Sequence, residues 1–257
     1  GSNDGMYRLV NALTGVERLA YMPYSVLTDI NKLPNYNYAH QYYVDGPSGF
    51  GHVKIGSTPA WRNIVVSGLG AGGKAIFAID TAPTGTNTTL GTTNVLWEKS
   101  GSAIGDGIYL GNIMNKPIIG MIHDSSKPAV IVGNGINSHA FHNRASLLVY
   151  NAGNGNRIKF CTPTDAAGNA AGNGMTSVSA VRDSDGEIVL VYAADYLGNI
   201  WRFDVAESES NCSSNAVKVF TAKNSSGANQ AITGELTVIK APNNLPGYMI
   251  LFGTGRY

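Results

Sequence analysis

"NIVVSGLGAGGKAIFAIDT", residues 63–81, places Gly68, Gly70 and Gly73 in the spacing G-x-G-x-x-G directly after an apolar, β-branched run. In a dinucleotide-binding fold a helix starts at these glycines, because its first N–H groups hold the pyrophosphate. Here the glycines lead instead into "KAIFAIDTAPTG", in which Ala75, Phe77 and Ile79 alternate with Lys74, Ile76, Ala78 and Asp80 before Pro83 and Gly85 break the run. A period of two ending in a turn predicts a strand. The glycines therefore read as a tight connection between two strands, and the question becomes which sheet they serve.

Composition narrows the answer. The 257 residues suffice for a sizeable core within one all-β domain. Glycine supplies 32 positions, and charged residues make up 14% against roughly 25% in an average protein, so turns are many and helix-favouring charge is scarce. The net charge of +1 and the lack of a long basic run exclude the footprint of a nucleic-acid binder. The longest apolar run, "EIVLVYAA", suits a buried strand and falls short of the roughly 18 residues of a membrane span. Neither a basic n-region nor an apolar h-region opens the chain, and both ends read as cuts within a longer protein. Cys161 and Cys212 are too far apart for a CxxC site; they are either a single disulfide or two buried thiols.

Self-comparison finds a repeat. "GMYRLVNALTGVERLAY", "GKAIFAIDTAPTGTNTTLGTTNVLW", "SLLVYNAGNGNRIKF" and "GNIWRFDVAESESNCSSNAVKVF" share a strand, a terminal Asp or Asn, a turn and a second strand closing on an aromatic. The turn positions are Asn11, Asp80, Asn151 and Asp204, where a short polar side chain can accept from nearby backbone N–H groups. The closing aromatics are Tyr21, Trp97, Phe160 and Phe220, and "AWRNIVVSG", "KPAVIVGNG" and "GEIVLVYAAD" supply inner strands. Successive Asp/Asn positions lie 69, 71 and 53 residues apart, somewhat more than a compact propeller blade of roughly 40–50 residues. The prediction is a β-propeller with loop insertions: about four blades over residues 1–257, and a partial blade at "GELTVIKAPNNLPGYMILFG". A β-sandwich would not repeat the hairpin.

A helix is expected at "SVLTDINKL", residues 25–33, after Pro23. It opens a tyrosine-rich insertion with Tyr24, Tyr36, Tyr38, Tyr42 and Tyr43. Tyr38, Tyr42 and Tyr43 are the candidate binding surface, since tyrosine offers large area with a polar tip; the alternative is that they pack over the propeller edge.

"NDGMYRLVNALTGVERLAYMP", "YNYAHQYYVDG", "WRNIVVSGLGAGGKAIFAIDT", "VYAADYLGNIWRFDV" and "LFGTGRY" are collinear with, and resemble, the C-terminal propeller of the PilC/PilY family of type IV pilus proteins. The resemblance spans essentially the whole chain and makes the G-x-G-x-x-G an inter-strand turn. It implies a segment of a larger modified propeller in an exported protein at the pilus tip, outer membrane or cell surface. Such a protein promotes pilus assembly, opposes retraction and supports attachment. The implied partners are minor pilins and the pilus machinery, and a host or abiotic surface.

The resemblance also implies a Ca2+ loop of the form D-x-D-x-D-G-x-x-D before the "VYAGD"-type strand. In "VRDSDGEIVLVYAAD", Asp183, Asp185 and Gly186 match, whereas Val181 and Val189 replace the first and last carboxylates. Glu187 offers an oxygen in a shifted register, and Arg182 adds an opposing charge. Asp183, Asp185 and Glu187 are the candidate metal ligands; the alternative is an ordinary "DSDG" hairpin turn. His139 and His142 in "NSHAFHN" have i, i+3 spacing but sit among loop residues and read as solvated, while His40, His52 and His123 stand alone.

"NALTGVERLAY" also resembles the quinoprotein blade repeat of enzymes that hold pyrroloquinoline quinone. Those enzymes pair that cofactor with Ca2+, a stacking tryptophan and adjacent half-cystines. Here the cysteines are 51 residues apart, and Trp61, Trp97 and Trp201 each belong to a blade strand, so no PQQ is expected. No G-x-S-x-G, H-E-x-x-H or P-loop motif is present, and the expectation is a non-enzymatic propeller.

Overall fold

The computed structural model describes residues 1–82, 90–123, 127–140, 142–165, 167, 170–206, 212–213, 215–243 and 245–255. The middle of the expected Asp80–Trp97 hairpin loop, part of the loop after Asp204, and the last two residues of "LFGTGRY" lie outside them.

Three antiparallel four-stranded meanders form the body. The first runs β3 (Ser48–Ile55), β4 (Ala60–Gly68), β5 (Ala75–Asp80) and β6 (Val95–Ser100). The second runs β7 (Ile118–Ile122), β8 (Lys127–Gly133), β9 (Leu147–Asn151) and β10 (Arg157–Cys161). The third runs β11 (Met175–Arg182), β12 (Ile188–Asp195), β13 (Asn199–Asp204) and β14 (Val217–Thr221). Two-stranded hairpins flank them: β1 (Tyr7–Val10) with β2 (Glu17–Tyr21), and β15 (Thr237–Lys240) with β16 (Tyr248–Leu251). A single parallel bridge, Ile122 to Ile188, stitches the second meander to the third. This is the blade order of a β-propeller.

The core explains why the blade strands read as apolar runs. Alternate residues of one strand enter different inter-blade layers. Val130, Val132, Leu148 and Tyr150 pack toward the first blade, with Ile64, Val66, Ile76 and Trp97. Ile131, Leu147 and Val149 pack toward the third, with Met175, Val191, Trp201 and Phe203. Phe77 and Ile79 face the β1–β2 hairpin through Tyr7 and Val65, while Tyr192, Ala194 and Ile200 face the β15–β16 side. The strand expected from the period of two at residues 75–80 is thus buried on both faces along its whole length. A strand between two layers reads as a near-continuous apolar run, here Ala75–Ile79 ahead of the turn residue Asp80, and each fully buried Val, Leu, Ile or Phe contributes about 1.5–3 kcal/mol.

The hairpin repeat has the expected chemistry. Asn11 Oδ1 accepts from the N–H of Leu13 at 2.9 Å, Asn151 Oδ1 from Gly153 at 2.9 Å, Asp80 Oδ1 from Ala82 at 2.9 Å and Asp204 Oδ1 from Ala206 at 3.1 Å. Among the closing aromatics, Trp97 ties two blades together by donating its indole N–H to the Ala152 carbonyl at 2.9 Å. In the glycine-rich turn from β4 to β5, Gly70 takes φ +59° and sits so close to the Asp45–Gly46 backbone that a side chain would collide.

The helix expected over residues 25–33 does not form. The segment makes two 3-10 turns instead, Tyr24–Val26 and Ile30–Lys32, and no α-helix occurs among the described residues. Nine residues containing β-branched Val26, Thr28 and Ile30 are too few to nucleate a helix without strong propensity. Packing decides the outcome: Val26, Ile30 and Leu33 drop into the layer between β1–β2 and the first blade.

Candidate functional site

The β11–β12 hairpin carries the expected metal residues. Gly186 takes φ +82° and lets Asp183–Glu187 turn tightly. Asp183 Oδ1 accepts from the N–H of Asp185 at 3.0 Å and of Glu187 at 2.9 Å, which fixes its carboxylate in one orientation. Its Oδ2 then faces the His123 ring, 2.7 Å from Nδ1, and Glu187 Oε2 lies 3.5 Å from the same nitrogen. His123 Nδ1 and one carboxylate oxygen each of Asp183 and Glu187 all lie within 4.8 Å of one another. Asp185 contributes turn geometry and is not part of this group. Burial works against ionisation of Asp183, but the Glu187 N–H, the His123 ring and the Asp185 N–H outweigh it and hold the carboxyl below its ordinary value.

His123 was expected to stand alone, yet it joins two of the three candidate ligands. It lies 60 residues from Asp183, and no local pattern marks it. The link is topological. The Ile122–Ile188 bridge and the bond from the His123 N–H to the Ile188 carbonyl, 3.1 Å, bring the end of β7 beside the hairpin. Arg182 turns its guanidinium to the carbonyls of Gly186, at 2.9 Å, and Ile119, at 3.1 Å, bracing the hairpin against β7. Calcium takes six to eight oxygen ligands. Val181, at the first carboxylate position of the loop implied by the resemblance, is a buried core residue, and the His and carboxylate side-chain donors that converge here are one nitrogen and two carboxylates.

The tyrosine insertion divides. Tyr43 is 2% exposed, lies in the core layer above the first blade and donates its hydroxyl to the Asp29 carbonyl at 3.1 Å. Its place in an exposed binding surface is therefore corrected: the run "YYVDG" feeds the chain from the insertion into β3 through the core. Tyr38 is half-buried and its hydroxyl closes a local loop with the backbone of Gln41. Tyr24, Tyr36 and Tyr42 are exposed. Glu98, on β6, anchors the insertion by accepting from the Tyr21 hydroxyl at 2.6 Å, the N–H groups of Tyr24 and Ser25, and the Ser25 hydroxyl.

His142 is likewise not solvated. Its ring is buried against Tyr109, and Nε2 shares a 2.8 Å hydrogen bond with the Ser146 hydroxyl. Burial, together with the nearby charge of Arg144, pushes its pKa down to about 4. Cys161, at the end of β10, and Cys212, in the β13–β14 connection, are joined as a disulfide with Cα atoms 4.9 Å apart. The bond ties the outer edges of the second and third blades.

Comparison with known proteins adds the family. The sequence profile of the PilY1 beta-propeller domain matches residues 1–257. A type IV pilus biogenesis factor PilY1 homolog of Xylella fastidiosa is 35% identical over 274 residues, covering 100% of this chain and 18% of that protein. The type IV pilus biogenesis factor PilY1 of Pseudomonas aeruginosa strain UCBPP-PA14 is 33% identical over 284 residues, covering 100% and 23%. The chain thus spans about a fifth of the length of these relatives. The crystal structure of the Pseudomonas aeruginosa PilY1 C-terminal domain superposes with a TM-score of 0.76 at 28% identity, over 100% of this chain and 52% of that one. Quinohemoprotein alcohol dehydrogenase from Comamonas testosteroni, with a TM-score of 0.50 at 17% identity over 98% and 38% of the two chains, shares the fold alone. With three blades, their asparagine- and aspartate-capped hairpins and a profile match from end to end, the chain belongs to the PilY1 beta-propeller family.

Proposed function

We propose that this propeller is a non-enzymatic part of a type IV pilus biogenesis factor, which promotes pilus assembly and opposes retraction from an exported position at the pilus tip or cell surface. The observation that carries this reading is the end-to-end match to relatives named as pilus biogenesis factors. Its two cysteines bond to each other across two blades, an arrangement unlike the adjacent half-cystines of a quinone enzyme. Contact with minor pilins or the pilus machinery would use blade edges. β14 ends its sheet and exposes Val217, Val219 and Phe220, which suits addition of a partner strand. Deleting residues 1–257 from the parent protein tests the reading. Fewer surface pili are expected; an unchanged count overturns it.

A second role, attachment to a host or abiotic surface, is favoured by the exposure of Tyr24, Tyr36 and Tyr42. Replacing these three by Ser should reduce adhesion while pilus number is kept. Unchanged adhesion removes the insertion from consideration.

A further inference from the structure

We infer that His123, Asp183 and Glu187 form a clasp for a borderline divalent cation of the zinc type, joining the second blade to the third. The three donors come from two blades and converge on one point: Nδ1 of His123 is 2.7 Å from Asp183 Oδ2 and 3.5 Å from Glu187 Oε2. A tetrahedral ion with bonds of about 2.0–2.1 Å holds its ligands roughly 3.3 Å apart. The 3.5 Å separation already suits it, the 2.7 Å one needs an opening of about half an ångström, which a half-exposed imidazole can provide, and the Asp183 and Glu187 oxygens, held within 4.8 Å of each other, would close by at most about 1.5 Å.

The site is pre-arranged by the fold. Two backbone N–H groups occupy Asp183 Oδ1 and aim Oδ2 at the ring, while the backbone N–H of His123 is held by the Ile188 carbonyl. Arg182 directs its charge at two carbonyls. Two carboxylates and a neutral imidazole balance a divalent charge, and imidazole selects zinc, copper or nickel over calcium, whose ligands are oxygens. The inference stands on these residues alone and does not depend on the pilus reading.

The test is isothermal titration of the tag-free full chain with zinc chloride, alone and with millimolar calcium present. One zinc ion per chain is expected, with an affinity that calcium leaves unchanged. His123→Ala should weaken zinc binding at least about tenfold, while His139→Ala, a control for scattered surface histidines, should not. Circular dichroism of each variant checks the fold. No zinc binding, equal binding by His123→Ala, or displacement of zinc by calcium would each overturn the inference.

Discussion

His142→Gln should remove a proton-linked part of the stability of this chain. In the folded state burial and Arg144 push the His142 pKa down to about 4, whereas an unfolded histidine titrates near 6.5. Between those values the unfolded chain holds a proton that the folded chain refuses, so stability rises with pH at up to about 1.4 kcal/mol per pH unit. The contribution is fully present above about pH 6.5 and is lost as pH falls toward 4. The full interval corresponds to about 3 kcal/mol, reduced to about 2 kcal/mol because the residue, 8% exposed, is partly screened by solvent. Glutamine can still bond the Ser146 hydroxyl but takes up no proton, so at pH 7.5 it should cost only about 1 kcal/mol, from lost packing on Tyr109. Urea titrations of both proteins at pH 7.5, 6, 5 and 4.5 provide the comparison, and the other histidines cancel in the difference. Wild type should lose about 2 kcal/mol more than the variant across this range. Parallel pH profiles would refute the reasoning and mean that His142 titrates as an exposed residue.

Two further outcomes rest on buried chemistry. Asp195 is fully buried and accepts from the Trp201 indole N–H at 2.8 Å, the Asn199 N–H at 2.8 Å and the Asn173 side-chain amide at 3.0 Å. Asp195→Ala strands these donors and should cost on the order of 4 kcal/mol by chemical denaturation, with a smaller loss for Asp195→Asn. The Cys161–Cys212 bond closes a loop of 51 residues, so the double Ser variant should lose up to about 4 kcal/mol on the chain-entropy account. Thiol quantitation and melting under oxidising and reducing conditions check it, and an unchanged melting temperature on reduction would contradict it.

Much of the fold was legible because its rules are local. The Asn11, Asp80, Asn151 and Asp204 turns use side chains that bond two residues ahead, and the paired strands carry apolar runs long enough to read. The first strand of each blade was harder. β3 reads "SGFGHVKI", where Gly51 replaces an apolar residue because a side chain there would overlap Ile119 of the next blade. Close approach to the next blade demands small residues, and these erase the hydrophobic signal. At the site, Asp183 and Glu187 were visible through the loop pattern, but His123 was not, since pairing between strands distant in sequence, at Ile122–Ile188, brings it there. Tyr43 and His142 failed for a related reason. Loop composition reports polarity, whereas burial of those rings is set by distant partners, the core layer above the first blade for Tyr43 and Tyr109 for His142.

The most direct test of the central claim is the number of surface pili when residues 1–257 are deleted from the parent protein in cells that retain or lack the retraction motor. On the proposed role in opposing retraction, pili are lost where the motor is present and recover where it is absent. Pilus numbers unchanged by the deletion in both backgrounds would contradict it.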